Sequence, residues 1–299
     1  MFDVKKLRGT IVALVTPFDE QKQIDEIRLR RLVDWQISQG TDVLLACGTT
    51  GESATLSHEE HHRVMEIVID QAANRVPVIC GAGSNATHEA IDLSRYAEQT
   101  GAAAVLSVCP YYNKPNQEGL YQHFRAIAEA IRLPLIVYNV PGRTGVNLQP
   151  ATLMRLAQIP NIIGVKEASG NISQIMEILR IRPKGFMLFS GDDAITLPVL
   201  SVGGDGVISV VANETPALLH EMVWSAFKGD WQRSRELHHL LMPLMELNFI
   251  ESNPIPVKTA MAMMGLLEEN FRLPLVGMSA DNREKLRRCL IDLKLIGGA

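Results

Sequence analysis

One lysine of this 299-residue chain lies where an amine is chemically unusual. Lys166 falls inside the run Ile162 to Ala168, where most other side chains are apolar. A lysine buried there must find a partner or lose its proton, because desolvation lowers the pKa of an ammonium group. The neutral amine can attack a ketone to form a Schiff base, whose iminium then acts as an electron sink. The alternative is an ion pair with a carboxylate such as Glu167 or Asp192.

Imine chemistry also needs groups that move protons and a group that binds a substrate carboxylate. Hydroxyl side chains near the ends of other apolar runs could move protons during carbinolamine formation and dehydration. They are Tyr138, Thr49, Thr50 and Tyr112. Arg143 offers a planar cation suited to a carboxylate. Together these residue types favour a Schiff-base enzyme over an ion-paired structural lysine.

The elements that must position these residues are short, continuous apolar runs rich in β-branched residues. Continuous runs are typical of parallel strands buried on both faces, which need long crossovers between them. The intervening segments have helical spacing, as in Leu29, Leu32 and Val33 before Gly40. Eight strands with alternating helices predict an α/β fold, a closed (β/α)₈ TIM barrel with its site at the carboxyl ends of the strands. A doubly wound open sheet is the alternative. The predicted strands are Gly9 to Phe18, Val43 to Gly48, Pro77 to Gly83, Ala103 to Pro110, Pro134 to Val140, Ile162 to Ala168, Phe186 to Asp193 and Gly206 to Asn213.

The pattern changes after about residue 229, where helical spacing continues without strands. We therefore expect a barrel domain over residues 1–229 and a C-terminal helical domain over 230–299. The stretch Asn253 to Pro256 should separate two helices, because residues before proline resist the helical region. The last helix should begin after Ser279 as N-cap and end at Gly297-Gly298.

Composition excludes several classes of protein. Lys and Arg total 29 against 33 Asp and Glu, a net charge of -4, which leaves no basic surface for nucleic acid. The sequence contains no stretch of 18 apolar residues that would predict a membrane span, and the N-terminus lacks the apolar region of a signal peptide. A cytoplasmic location is therefore expected. The four cysteines are far apart and indicate reduced, buried thiols. They are Cys47, Cys80, Cys109 and Cys289.

Three segments resemble the signatures of the pyruvate-dependent class I aldolase family, to which N-acetylneuraminate lyase belongs. They are Gly48-Thr49-Thr50-Gly51-Glu52, Tyr138-Asn139-Val140-Pro141 and Gly164-Val165-Lys166-Glu167-Ala168. The resemblance runs from Gly9 to the C-terminal helices. It is closest to members that condense pyruvate with L-aspartate 4-semialdehyde in diaminopimelate and lysine biosynthesis, which Pro110-Tyr111-Tyr112-Asn113 and Arg143-Thr144-Gly145 distinguish from their relatives. Cys109 and Gly142 depart from the family form in which Thr and Ser hold these positions.

The resemblance implies a role for each matching residue. Lys166 would form the imine with pyruvate, and Tyr138, Thr49 and Tyr112 would relay protons. Tyr112 would reach the site from the partner subunit of a tight dimer, two of which form a homotetramer. Thr50 would bind the pyruvate carboxylate, Arg143 the carboxylate of the semialdehyde, and Ile208 would place a backbone carbonyl near the lysine. The family needs neither a cofactor nor a metal.

A second set of residues matches the inhibitory L-lysine site of feedback-regulated family members. The site lies at the tight-dimer interface, where Glu89 could face an ammonium group and Tyr111 could disturb the adjacent Tyr112. An ordinary polar dimer contact is the alternative. The matching residues are Ser53, Ala54, His58, His61, Asn85, Glu89 and Tyr111.

Other motifs have competing interpretations. His58-Glu59-Glu60-His61-His62 fits the H-E-x-x-H zinc pattern, but a solvated helix face is favoured because no third ligand is placed nearby. Gly81 to Ala86 imitates a dinucleotide loop without its acidic ribose ligand. We interpret Asp192-Asp193 as helix N-caps and Lys258 as a surface residue or an ion-pair partner.

The sequence is compatible with four functions. The semialdehyde condensation is favoured, and a sibling aldolase acting on a 2-keto-3-deoxy sugar acid or N-acetylneuraminate is the nearest alternative. A zinc hydrolase using His58 and an inactive barrel that only binds an amino acid are the others.

Overall fold

Eight parallel strands close into a barrel in the computed structural model, which describes residues 3–298. Each strand pairs with its neighbours in sequence, and the last pairs with the first, as the sequence predicted. The strands are β1 Gly9–Ala13, β2 Val43–Ala46, β3 Val78–Gly81, β4 Ala104–Val108, β5 Leu135–Asn139, β6 Ile162–Glu167, β7 Met187–Ser190 and β8 Gly206–Ser209.

Helices cover the outside of the barrel and form the C-terminal region. They are α1 Glu26–Ser38, α2 His58–Ala72, α3 Thr87–Thr100, α4 Gln117–Ala130, α5 Pro141–Thr144, α6 Pro150–Leu156, α7 Ile172–Ile181, α8 Thr196–Ser201, α9 Pro216–Phe227, α10 Trp231–Leu247, α11 Ile255–Met263 and α12 Ala280–Asp292. Short 3-10 turns lie at Val4–Leu7, Thr49–Gly51, Ser53–Thr55 and Val211–Asn213. No helix within residues 3–298 is both long and apolar enough to cross a bilayer.

Most strand residues are apolar because both faces of the strands are buried. In β5, Ile136 and Tyr138 face the barrel interior, whereas Leu135 and Val137 pack against the surrounding helices. This two-sided burial produces the continuous runs from which the strands were predicted. Closure between β1 and β8 depends on Gly206, whose φ is +148° and where a Cβ atom would lie 2.1 Å from the Gly9 carbonyl oxygen.

Local signals explain where several helices begin and end. The Asp25 side chain accepts a hydrogen bond from the Arg28 amide at the start of α1, and Gly40 takes a left-handed conformation just beyond its end. The start of α2 has a capping box, in which Ser57 and Glu60 each satisfy the other's backbone N–H. The α2 cap holds that helix beside the turn that follows β2.

The C-terminal region differs in detail from the prediction. No strand occurs in the described residues after Gly229, as expected, but α12 ends at Asp292, well before Gly297-Gly298. Ser279 occupies the N-cap position of α12, as predicted, but its hydroxyl donates to Glu251 and makes no capping hydrogen bond. The proline stretch separates helices and also starts α11, since a proline in the first helical turn removes no helical hydrogen bond.

Two further expectations can be compared with the structure. The first predicted strand, Gly9 to Phe18, is too long, because β1 ends at Ala13 and the chain then turns over the top of the barrel. The four cysteines are buried and unpaired, as predicted. Burial raises the pKa of the Cys80 thiol to about 12, so this thiol remains protonated at neutral pH.

Candidate active site

Lys166 and Tyr138 lie side by side inside the barrel at the carboxyl ends of two adjacent strands. They occupy paired positions of β6 and β5, so their side chains point in the same direction. The Lys166 Nζ atom is 4.3 Å from the centroid of the Tyr138 ring. The two side chains are only 6% and 7% exposed. The predicted nucleophile and the predicted proton-transfer group are therefore neighbours.

The surroundings of Lys166 favour its neutral amine. Burial lowers its pKa to about 7, and the Arg143 cation acts in the same direction, whereas the Asp193 carboxylate opposes them. Among residues 3–298, no side chain forms an ion pair with the Nζ atom. The ion pair considered as an alternative is absent, since Glu167 accepts from Asn139 and Asp192 accepts from the Ala194 amide.

Tyr138 keeps its proton at neutral pH. Burial raises its pKa to about 12, while Arg143 and a hydrogen bond with the Thr49 side chain act in the opposite direction. Thr49 begins the 3-10 turn after β2, which brings its hydroxyl across the barrel to β5. Tyr138 can therefore donate a proton and recover it from the threonine hydroxyl.

A cavity of about 40 Å³ lies against the lysine, with Thr49, Tyr138 and Lys166 in its wall. Its outer side adjoins a larger cavity of about 370 Å³, because Thr49, Ser53, Gly83 and Val108 line both. Arg143, Thr144 and Val140 form part of the wall of the larger cavity. A small reactant can thus contact the amine while a second group binds near Arg143.

The remaining residues predicted to bind substrate are less directly placed. The Thr50 hydroxyl accepts a hydrogen bond from the side-chain amide of Asn253 at 3.0 Å. Arg143 donates to the backbone carbonyl oxygen of Asn253 at 3.3 Å. Ile208 is buried in the barrel interior on β8 and does not line either cavity. Tyr112 is 90% exposed on the loop after β4, with a φ of +73°, and lies outside both cavities.

Six of the seven residues predicted to bind L-lysine line the larger cavity; they are Ser53, Ala54, His58, His61, Glu89 and Tyr111. The seventh, Asn85, does not line it, but its side chain donates to the Tyr111 carbonyl oxygen at 3.2 Å. The Glu89 carboxylate accepts a hydrogen bond from Ser84 at 2.6 Å. The seven predicted residues therefore form one cluster, which borders the mouth of the small cavity at Lys166.

The histidines of the zinc-like motif have structural contacts. His61 lies 2.7 Å from the Gly81 carbonyl oxygen, and burial lowers its pKa to about 4. His62 stacks on the Tyr96 ring at 3.6 Å. Within residues 3–298, no group of three His, Cys, Asp or Glu side chains is arranged to hold a metal ion.

The glycines of the dinucleotide-like loop serve close packing at the barrel rim. A Cβ atom on Gly81 would lie 2.2 Å from the Cys47 carbonyl oxygen, and one on Gly83 would lie 2.4 Å from the Val108 nitrogen. These glycines let neighbouring strand ends approach each other, which explains the pattern without a nucleotide.

One sequence interpretation requires correction, and the structure decides between the alternatives of another. Asp193 is not a helix cap, because its buried carboxylate accepts from the Val210 and Val211 amides beyond β8, each at 2.9 Å. Lys258 is not at the surface. It is fully buried and forms an ion pair with Glu52 at 2.5 Å, which was the alternative to a surface position. Sequence reasoning missed Asn253 as a partner of the site, although the prolines around it marked an irregular backbone.

The chain is similar to known proteins over nearly its whole length. Residues 6–293 match the dihydrodipicolinate synthetase family. A 4-hydroxy-tetrahydrodipicolinate synthase from Syntrophus aciditrophicus is 52% identical, covering 97% of this chain and 99% of the relative. The chain belongs to this family.

Two solved structures show the same fold with small molecules of interest. A chloride-inhibited dihydrodipicolinate synthase from Acinetobacter baumannii, complexed with pyruvate, is 47% identical with a TM-score of 0.95 over 97% of this chain and 99% of the other. An enzyme of the family from Cyanidioschyzon merolae, with lysine bound, is 40% identical with a TM-score of 0.95 over the same fractions.

Family membership confirms the predicted class of activity. The chain is a pyruvate-dependent class I lyase with 4-hydroxy-tetrahydrodipicolinate synthase activity, which serves lysine and diaminopimelate biosynthesis. The family uses a Schiff-base lysine and no cofactor. The sugar-acid aldolase, the zinc hydrolase and the inactive barrel are therefore set aside.

Proposed function

We propose that Lys166 is the Schiff-base lysine and that the barrel end around it condenses pyruvate with L-aspartate 4-semialdehyde. The observation that carries this assignment is a buried amine that has no ionic partner within residues 3–298 and lies beside the buried Tyr138 ring, at the end of a small cavity. In the first step, the neutral amine adds to the C2 carbonyl of pyruvate to form a carbinolamine. The carbinolamine then loses water to give an iminium.

Tyr138 and Thr49 move protons during these steps. Tyr138 protonates the departing hydroxyl and regains a proton through Thr49. The same relay removes a proton from C3 of the iminium to give an enamine, whose electron pair attacks the aldehyde carbon of the second substrate, and it returns a proton to the aldehyde oxygen. The amino group of the condensed semialdehyde then displaces the Lys166 amine from C2, which closes the ring and frees the lysine. Thr50 binds the pyruvate carboxylate and Arg143 binds the carboxylate of the semialdehyde, while the Ile208 carbonyl lies near the lysine. Arg143 suits this role because it lines the outer cavity and is solvent exposed.

Tyr112 completes the relay from a second subunit. Its exposure in a single chain, together with its left-handed backbone, fits a residue that projects toward a partner. Each tight dimer would then contain two sites, and two dimers would form the homotetramer. The enzyme acts in the cytoplasm, and the division into a barrel of residues 1–229 and a helical domain of 230–299 is part of the same proposal.

The larger cavity binds L-lysine as a feedback inhibitor. Its volume of about 370 Å³ accommodates an amino acid, and Glu89 supplies a carboxylate for an ammonium group. The lysine-bound relative from Cyanidioschyzon merolae supports this assignment. Because the cavity adjoins the mouth of the active site, the bound inhibitor could alter both Tyr111 and its neighbour Tyr112.

Two assays test the function. Purified protein should consume pyruvate with L-aspartate 4-semialdehyde and not with sugar aldehydes; turnover of a sugar aldehyde alone would contradict the assignment of the second substrate.

Glu89→Gln should keep turnover while weakening inhibition by lysine about tenfold or more, since it removes one charged hydrogen bond. Unchanged inhibition in Glu89→Gln, or none in the wild type at millimolar lysine, would overturn the proposed regulatory site.

A further inference from the structure

The C-terminal helical region contacts the turn after β2, which carries the predicted substrate-binding residue Thr50. Asn253, only 6% exposed, lies just before α11. Its side-chain Nδ2 donates to the Thr50 hydroxyl oxygen at 3.0 Å, and Thr50 itself is 2% exposed. The contact joins a residue of the helical domain to the 3-10 turn Thr49–Gly51 at the mouth of the barrel.

A second contact fixes the same turn. Glu52, the residue after the turn, has a left-handed φ of 54°. Its carboxylate pairs with Lys258 of α11 at 2.5 Å, and both side chains are fully buried. The turn is thus held from the helical domain at two points, Thr50 and Glu52, which are two residues apart. It cannot shift without breaking a buried contact.

The direction of the Asn253 hydrogen bond determines what Thr50 can do. A hydroxyl group has one proton to donate and two lone pairs with which to accept. When Thr50 accepts from the amide of Asn253, its own proton remains available for another acceptor. Within residues 3–298, the Thr50 hydroxyl has no hydrogen-bond partner other than Asn253, so no protein group accepts its proton.

We infer that Asn253 is a positioning residue for the keto-acid substrate: it orients the Thr50 hydroxyl so that its proton is donated to the substrate carboxylate. The inference rests on the proposed role of Thr50 in binding pyruvate. Asn253 touches no reacting atom, and it acts through Thr50. A carboxylate that receives an oriented O–H donor binds more tightly than one that must first reorganise a hydroxyl.

The test measures pyruvate binding without the second substrate. Borohydride reduction traps the imine, and mass spectrometry gives the pyruvate concentration at which half of the Lys166 peptide is labelled. We compare the wild type with Asn253→Ala, Thr50→Val and the double variant. Asn282→Ala is the matched control, because it removes an amide donor to Glu251, 2.9 Å away, in the same helical region.

The expected result is a rise of about tenfold in the half-labelling concentration for Thr50→Val, and about three- to tenfold for Asn253→Ala. The double variant should resemble Thr50→Val alone, because Asn253 then has no hydroxyl to orient. Asn282→Ala should leave the half-labelling concentration unchanged. The KM for the semialdehyde should stay nearly constant in Asn253→Ala, since Arg143 contacts the backbone of Asn253 and keeps that contact.

The outcomes separate this inference from the proposed function. Full labelling of Lys166 at saturating pyruvate in every variant preserves the Schiff-base assignment. If Thr50→Val binds pyruvate as the wild type does, the role of Thr50 fails. If Thr50→Val weakens binding but Asn253→Ala does not, or if the two effects simply add, the role of Asn253 fails. Asn253→Ser, which keeps a polar side chain, replaces Asn253→Ala should the alanine variant not fold.

Discussion

The burial that favours the neutral Lys166 amine also costs stability. Its pKa falls from 10.5 to about 7 on folding, so between these values the unfolded chain binds a proton that the folded chain lacks. Lys166→Met should therefore raise the free energy of unfolding by about 2–4 kcal/mol at pH 7. The gain should shrink as the pH rises toward 10.5, because the amine is then neutral in both states. Urea denaturation at pH 7 and pH 9 measures it; a variant less stable than the wild type at pH 7 would contradict this account.

Burial causes most of the lowering of the Lys166 pKa, and two charges of opposite sign adjust it. Arg143 lowers its pKa and Asp193 raises it. Arg143→Gln should therefore move the pH profile of pyruvate trapping to higher pH, and Asp193→Asn should move it to lower pH. The initial trapping rate, measured against pH, should be half-maximal near pH 7 in the wild type. Shifts in the same direction for both variants would exclude this electrostatic account.

At the residue level, the candidates found from the sequence are residues whose type is unusual for its surroundings. Lys166 is conspicuous because an amine in an apolar strand is unusual, and Tyr138 and Thr49 follow from their places at strand ends. Asp193 was misread, because an aspartate before a helix resembles a cap. Its actual partners are backbone amides beyond β8, which are distant in sequence.

At the level of elements, the Glu52–Lys258 pair joins α11 to the turn after β2. Lys258→Met leaves a buried carboxylate without its partner and should destabilise the fold by about 3–5 kcal/mol. The double variant Glu52→Gln with Lys258→Met removes both charges and should recover most of that loss. Chemical denaturation of the two variants decides the matter, and equal losses in both would show that charge pairing is not the cause.

Elements were predicted well where burial is two-sided and poorly where proline intervenes. Continuous apolar runs gave all eight strands, although the length of β1 was overestimated because Leu14 and Val15 are apolar but lie in the loop. The helix α11 was not predicted, since Pro254 and Pro256 indicate a break. The pairing of Lys258 with Glu52 was not predictable either, because it depends on how α11 packs against the barrel.

At the level of the whole molecule, the proposed dimer should share its active sites between subunits. Tyr112→Phe and Lys166→Ala homodimers should each lose at least about a hundredfold in turnover, because each lacks one group at both sites. After random exchange, a 1:1 mixture of the two variants should regain up to about a quarter of wild-type activity. Half of its dimers are heterodimers, and one of the two sites in each has both Lys166 and the partner's intact tyrosine. The measurement is turnover after co-refolding or subunit exchange of the two variants. No recovery in demonstrated heterodimers would place Tyr112 in its own subunit's site or outside catalysis.

The central claim is that the Lys166 amine bonds covalently to pyruvate, and borohydride trapping followed by peptide mass analysis tests it most directly. The account predicts a reduced pyruvyl adduct on the peptide that contains Lys166, dependent on pyruvate and absent in Lys166→Ala. Lys258→Arg provides a matched control at the other buried lysine and should label like the wild type. An adduct on any other lysine, or none at saturating pyruvate in folded protein, would contradict the account.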